Sequence, residues 1–277
     1  MRKNVMKIFV ILGLAALTFC SVPTWADETT KSADFSVFSR YMWRGYTLSD
    51  EGYVMQPSVT FTSGGFSLNL WGNIDSATML NETTMGKSDW NETDVTVSYD
   101  WSFDKLSFGL GGIYYYLDGG ENTYEFYYTV SYDTILCPTL TFYKDMYATR
   151  GIYAQFGISH SIEITDGITL DLSGSISYYA ARKLYEYDAD GNAMDGTGNI
   201  GPAPLGHFTY PTKSYAALHD GTISASMTIP VYKELSVTPS VSYTTALSDK
   251  AKNHIKGMSV VRESDQIYGG ITLSYTF

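Results

Sequence analysis

Gly270-Ile271-Thr272-Leu273-Ser274-Tyr275-Thr276-Phe277 ends the sequence, and its reading decides the fold. Apolar and small polar side chains alternate residue by residue and stop on a phenylalanine. A period of two puts Ile271, Leu273 and Tyr275 on one face of a strand and Thr272, Ser274 and Thr276 on the other. A closing strand of this kind is expected of a transmembrane antiparallel β-barrel, whose apolar face meets lipid while its polar face lines an interior.

The alternation recurs upstream through almost the whole chain. Phe66, Leu68, Leu70 and Ile74 alternate with Ser67, Asn69, Trp71 and Asn73, and Leu235, Val237, Val241 and Tyr243 with Ser236, Thr238, Ser240 and Ser242. Near the front, Phe35, Val37, Tyr41 and Trp43 share one parity, with Ser36, Arg40 and Met42 on the other. No stretch carries the 3.6-residue period of a long amphipathic helix.

Turn signals divide these runs into about twelve strands, with 10–14 allowed, each long enough for a tilted membrane span. The spans are 34–43, 53–62, 66–75, 92–102, 106–117, 123–132, 139–147, 151–164, 168–180, 216–229, 235–246 and 265–277. Lys144 breaks the parity of 139–147 and predicts a bulge or an early strand end. The connections at one end are short, and several at the other, among them 44–52, 76–91, 181–215 and 247–264, are long. Short periplasmic turns, long extracellular loops and both termini in the periplasm demand an even strand number.

The front of the chain agrees. Arg2, Lys3 and Lys7 precede an apolar run from Ile8 to Phe19, and Thr24-Trp25-Ala26 offers small residues for cleavage, so 1–26 reads as a signal peptide and 27–277 as the barrel. Cys20 raises acylation as a rival, which the bulky Phe19 before it argues against. Loss of the leader removes Arg2, Lys3 and Lys7 and no acid, so the mature chain is more negative than the −11 of the whole. That balance excludes a nucleic-acid footprint. Few charges and 24 tyrosines suit aromatic girdles at two interfaces. Cys137, beside Pro138, reads as a buried turn residue rather than a nucleophile.

The segment from Asp34 to Asp50, with Tyr41-Met42-Trp43-Arg44-Gly45 inside it, resembles the opening of the TorF-type family of outer-membrane porins. In that family the first strand ends in Tyr-x-x-Arg-Gly and a Pro-containing second strand follows, here Gln56-Pro57-Ser58-Val59. Phe66 to Asp75, Glu92-Thr93-Asp94 with Tyr99, Gly111 to Tyr116 and Tyr124-Glu125-Phe126-Tyr127 are similar to its later elements. The resemblance covers the first half of the chain and implies a fold and an outer-membrane location more firmly than a solute. Tyr147 to Tyr153 echoes the Arg-Gly element, as a repeated use of that pair at a rim turn or as the trace of a duplicated half.

Inward positions are dominated by Ser, Thr, Gly and Asn. The charges among them, Arg40, Arg44, Asp75, Asp94, Asp100, Glu125, Glu163 and Asp171, are the candidate pore-lining residues. Arg40 and Arg44 are expected to pair with the carboxylates or to form a constriction, and pairing across the lumen could instead plug it. The sequence thus implies a passive outer-membrane channel for small hydrophilic solutes or ions with weak cation preference. Its partners are outer-membrane lipids and those solutes, and self-association is left open. A closed barrel working through its loops is the alternative. A lipid-modifying enzyme is weaker still, because His160, His207, His219 and His254 have no recognisable nucleophilic serine beside them; His160 reads as a rim residue. No cofactor and no metal site are expected. Asp188-Ala189-Asp190-Gly191-Asn192, with Asp195 nearby, imitates a calcium loop but lacks the Gly and Glu the EF-hand needs, at Ala193 and Asn199, so a polar loop is the better reading.

Overall fold

The computed structural model describes residues 29–76, 89–118, 120–184, 186–190, 192–194 and 213–277. The expected leader with Cys20 and residues 77–88 and 195–212, with Asp195, Asn199 and His207 among them, lie outside these. In chain order the elements are β1 (Thr30–Phe38), β2 (Met42–Trp43), β3 (Tyr46–Thr47), β4 (Val54–Ser63), β5 (Phe66–Asp75) and β6 (Asp89–Phe103). Then come β7 (Leu106–Leu117), β8 (Thr123–Tyr132), β9 (Thr139–Asp145), β10 (Ile152–Thr165), β11 (Ile168–Leu184), β12 (Glu186–Tyr187) and β13 (Ala193–Met194). The chain finishes with β14 (Lys213–Tyr232), β15 (Leu235–Ala246), α1 (Asp249–Met258) and β16 (Asp265–Thr276).

Twelve of the strands form one closed antiparallel barrel in the order β1-β16-β15-β14-β11-β10-β9-β8-β7-β6-β5-β4. The closing strand quoted above pairs with the opening one, Ser36 against Thr272 and Asp34 against Ser274. Closure removes both sheet edges, which no strand could leave bare in lipid. Phe66, Leu68 and Leu70 point out, at 62%, 49% and 52% exposure, while Ser36 and Asn73 point in and are fully buried. Trp90, Tyr116, Tyr124 and Tyr147 ring one end of the apolar band and Phe103, Tyr132, Tyr232 and Phe277 the other, the paired girdles of a membrane span.

Two departures matter for function. The first strand stops at Phe38, not at 43. Ser39 and Arg40 bend the chain, and Tyr41, read as outward with Phe35 and Val37, turns into the lumen and is 4% exposed. The second is α1, in a loop where no helical period was read. Ser248 caps it by accepting from the Ala251 amide, with Asp249 in its first turn and Lys256 in its last. Ten residues give too few apolar repeats to stand out, and its buried face includes Ala251, His254 and Ile255. The early end read into 139–147 is found: β9 stops at Asp145, whose Oδ1 accepts from the amides of Tyr147, Thr149 and Arg150.

Candidate functional site

The loop between β1 and β4 folds inward as a ribbon, with Met42 opposite Thr47 and Trp43 opposite Tyr46. Its two turn residues, Arg44 (φ 49°) and Gly45 (φ 81°), lie in the left-handed region that a two-residue hairpin turn needs. Gly45 has a second reason to be glycine, since a Cβ there would sit 2.9 Å from Asp220 Cβ and 3.0 Å from Ile255 Cδ1. Arginine carries a steric cost of about 1–2 kcal/mol in this conformation, and its side chain offsets that cost.

The Arg44 guanidinium reaches across the lumen to Glu125 on β8. Nη1 donates to Oε1 at 2.8 Å and Nη2 to Oε2 at 2.6 Å, with side-chain exposures of 8% and 1%. The Tyr115 hydroxyl adds a bond to Oε2 at 3.0 Å. The guanidinium carbon lies over three aromatic rings, with centroids 4.5 Å away for Trp43, 4.6 Å for Tyr153 and 4.9 Å for Tyr143. A forked ion pair enclosed by π-faces is the setting in which arginine holds best. Nearby, the Tyr41 hydroxyl donates to Glu92 Oε2 at 2.7 Å.

The helix locks the ribbon from the other side. The Tyr46 hydroxyl shares a 3.1 Å bond with His254 Nδ1, Thr47 N donates to Ser259 Oγ, and Val260 N donates to the Thr47 carbonyl. His219 from β14 lies beside Tyr46 and His254 and shares a 2.7 Å bond with the Tyr215 hydroxyl. Burial first, and then the Lys250 charge, push His254 down to about 3, so its imidazole is neutral at pH 7. Tyr153 and Ser177 both donate to Asp220 Oδ1, at 2.9 and 2.5 Å. Ribbon and helix together form a plug at the end of the long loops.

The other half of the lumen is built differently. Hydroxyl pairs cross from strand to strand: Ser36 with Thr272 at 2.9 Å, Thr129 with Thr141 at 2.8 Å, Ser224 with Ser242 at 2.7 Å, Thr62 with Ser67 at 2.8 Å. Each is a direct or near-direct cross-strand neighbour on the inner face. Asp171 accepts from Ser161 Oγ at 2.5 Å and Asp100 from Ser98 Oγ at 3.3 Å.

The eight candidate pore-lining charges separate accordingly. Arg44 and Glu125 meet. Asp75 is buried at the plug end, and Asp94 lies opposite Trp71 and Tyr115 with its Oδ1 buried and without a hydrogen-bond partner. Asp100 and Asp171 belong to the hydroxyl-lined half, and Glu163 is exposed beside the turn after β10. Arg40 does not join them: its Nη1 donates to the carbonyls of Asp50 at 2.9 Å and Ser39 at 3.3 Å, because the bend after β1 leaves it at the loop base. Sequence parity missed Tyr41, Trp43 and Tyr46 as lumen residues. The Tyr-x-x-Arg-Gly element was the available signal, since Arg-Gly marks a tight turn and turns the preceding aromatics away from the strand.

Among the described residues the three histidines lie apart in role. His160 bonds the Ile135 carbonyl at the rim, 2.7 Å away, and His219 and His254 are walled in by tyrosines. Asp188 accepts from the amides of Asp190 and Asn192 and from Asn192 Nδ2. Among the described residues no group of three or more potential ligands could hold a metal ion.

No protein family and no characterised protein matches the chain by sequence. Solved structures do match by shape. A NanC porin is 14% identical with a TM-score of 0.52, over 88% of this chain and 98% of that one. An outer membrane channel from Pseudomonas putida F1 is 8% identical (TM-score 0.49; 90% and 95% covered), and LpxR from Salmonella typhimurium is 9% identical (0.47; 89% and 100%). At 14% identity the NanC likeness is one of fold. With the closed sheet and the outward apolar band, it defines the class as a membrane-spanning β-barrel of the outer-membrane type.

Proposed function

We propose that this chain is a passive channel of the bacterial outer membrane for small hydrophilic solutes or ions, with a weak cation preference, held narrow at its outer end by the ribbon and α1. One observation carries the reading. The ribbon and α1 fold inward from two loops, and the Arg44–Glu125 pair ties the ribbon to β8 across the lumen. A barrel whose strands present hydroxyls to its lumen has the lining of an aqueous path, and loops are the elements able to move in it. The resemblance of 34–50 to the TorF-type porins supports the same reading, as does the likeness in fold to NanC. The excess of inward carboxylates over basic groups supports the cation preference.

The test is conductance of the refolded mature chain, 27–277, in a planar bilayer. Low or intermittent steps are expected for the native sequence and larger, stable steps for Arg44→Ala, with reversal potentials favouring cations. Silence from both, with a heat-modifiable folded barrel verified, would overturn the channel reading. It would favour the second one, a closed barrel acting through its surface loops, to which the close fit of the plug also points.

A further inference from the structure

We infer that the lumen carries a binding site for a monovalent alkali cation centred on Asp34 of β1, an inference that deepens the channel reading by naming a stop on its path. Asp34 is 4% exposed; the Ser274 hydroxyl is the one group that reaches its carboxylate, and neither oxygen meets a charged partner or a hydrogen bond of full geometry. Register gives its surroundings. Ser274 of β16 and Ser58 of β4 stand directly opposite on either side, and Ser32 and Ser36 precede and follow it on the same face. In an antiparallel sheet, directly opposed residues point to the same side, so the carboxylate lies at the centre of a patch of neutral oxygen-bearing side chains.

Nothing in that patch cancels its charge. Lys31, on the same strand, has the outward parity and lies over the Phe277 ring at 6.0 Å. Arg44 is held by Glu125, on the far side of the barrel and at the plug end. A buried carboxylate without a charged partner is costly to keep ionised, and the lumen supplies what a hard cation needs, one full charge and several hydroxyl oxygens. A single carboxylate favours Na⁺ or K⁺ over a divalent ion, in keeping with the lack of any multi-acid metal group among the described residues. The Ser36–Thr272 pair is already bonded to itself at 2.9 Å, and Ser58 Oγ accepts from Asn69 Nδ2 at 2.8 Å, which leaves Ser274 and Ser32, with the second lone pair of Ser58, as the oxygens able to turn toward an ion at Asp34.

The experiment uses the refolded mature chain in detergent and does not depend on conduction. Heat-modifiability midpoints are compared in NaCl, KCl and N-methylglucamine chloride at equal ionic strength, for the native chain and for Asp34→Asn. A midpoint higher in NaCl or KCl than in N-methylglucamine chloride for the native chain, and no difference for Asp34→Asn, is the expected result. Equal responses in the two proteins would overturn the site. So would an infrared band of a protonated carboxyl at pH 7 that Asp34→Asn removes, since a neutral acid needs no cation. Should Asp34→Asn fail to fold, Ser58→Ala with Ser274→Ala weakens the same site and must reduce the cation response. A cation-dependent midpoint in a barrel that never conducts would leave the site standing and remove only the channel.

Discussion

The two halves of the lumen use opposite chemistry on the same sheet. At the long-loop end Trp43, Tyr46, Tyr143, Tyr153, Tyr179 and Tyr215 surround one arginine and two histidines, and side chains from segments far apart in sequence interlock. At the short-turn end the inner face is a lattice of serines and threonines bonded to their cross-strand neighbours. The first half is a small hydrophobic core assembled inside a barrel, and like any core it is specified by fit. The second is a polar wall satisfied locally, and it needs no partner across the lumen. The difference teaches that the side chains filling the long-loop end are brought together by two loops, while the wall rests on strand pairing.

The largest expected effect comes from unpinning the plug. Arg44→Ala leaves Glu125 buried without its partner, a cost of about 3–5 kcal/mol, which corresponds to roughly two to four powers of ten in the ratio of closed to open plug. Single-channel recording should show a higher open fraction, and adding Glu125→Gln should recover part of the closure by removing the stranded charge. If Arg44→Ala conducts like the native chain, the contrast between the halves has no functional meaning.

Acidification should act next in size. His254 faces Tyr46, Tyr187, Tyr215, His219 and Lys250, and its folded value of about 3 lies below the ordinary 6.5. Above pH 6.5 neither the docked nor the withdrawn helix holds the proton, and the full stability of the docked plug is present. Below it the withdrawn helix takes a proton that the docked one refuses until pH 3. Docking therefore weakens by about 1.4 kcal/mol per pH unit across that window, about 2 kcal/mol at pH 5. Conductance should rise as pH falls from 6.5, and His254→Gln should flatten the profile.

Gly45→Ala ranks third. The new Cβ meets Asp220 and Ile255 in a left-handed backbone, at a cost of about 1–3 kcal/mol. Limited proteolysis should cut within 39–53 faster than in the native chain, with the barrel itself intact. Asp171→Asn, in the hydroxyl-lined half, should have the smallest effect. Its Ser161 bond can be kept by an amide, so stability should change by less than about 0.5 kcal/mol, while the reversal potential shifts slightly toward anions. A loss of folding from Asp171→Asn would mean that the two halves are not energetically separate.

Much of the barrel was legible. The alternation of Phe66 to Asp75 and of Leu235 to Ala246 marks strands because one face meets lipid and the other water, and the period of two survives any detail of packing. Asp75, Asp94, Glu125 and Asp171 keep the inward parity of their strands, whereas Arg40 stays at the loop base, Glu163 is exposed and Arg44 enters from the ribbon turn. That Arg44 and Glu125 would meet was not legible, because they are distant in sequence and no local rule selects one carboxylate among several. Tyr41 was misread because parity assumes that the strand continues, and the bend at Ser39 and Arg40 ends it.

By itself, the sequence determined a closed antiparallel sheet with an apolar outside, a hydroxyl-lined inside and short turns at one end. These follow from residue-by-residue alternation and turn chemistry, which act within a few positions along the chain. Only the tertiary structure decided that the loop carrying Arg44 turns inward and that α1 closes over it. It also decided that Asp34 is left without a neutralising partner. Those outcomes depend on which side chains from different strands come within a few ångströms of one another once the barrel has closed.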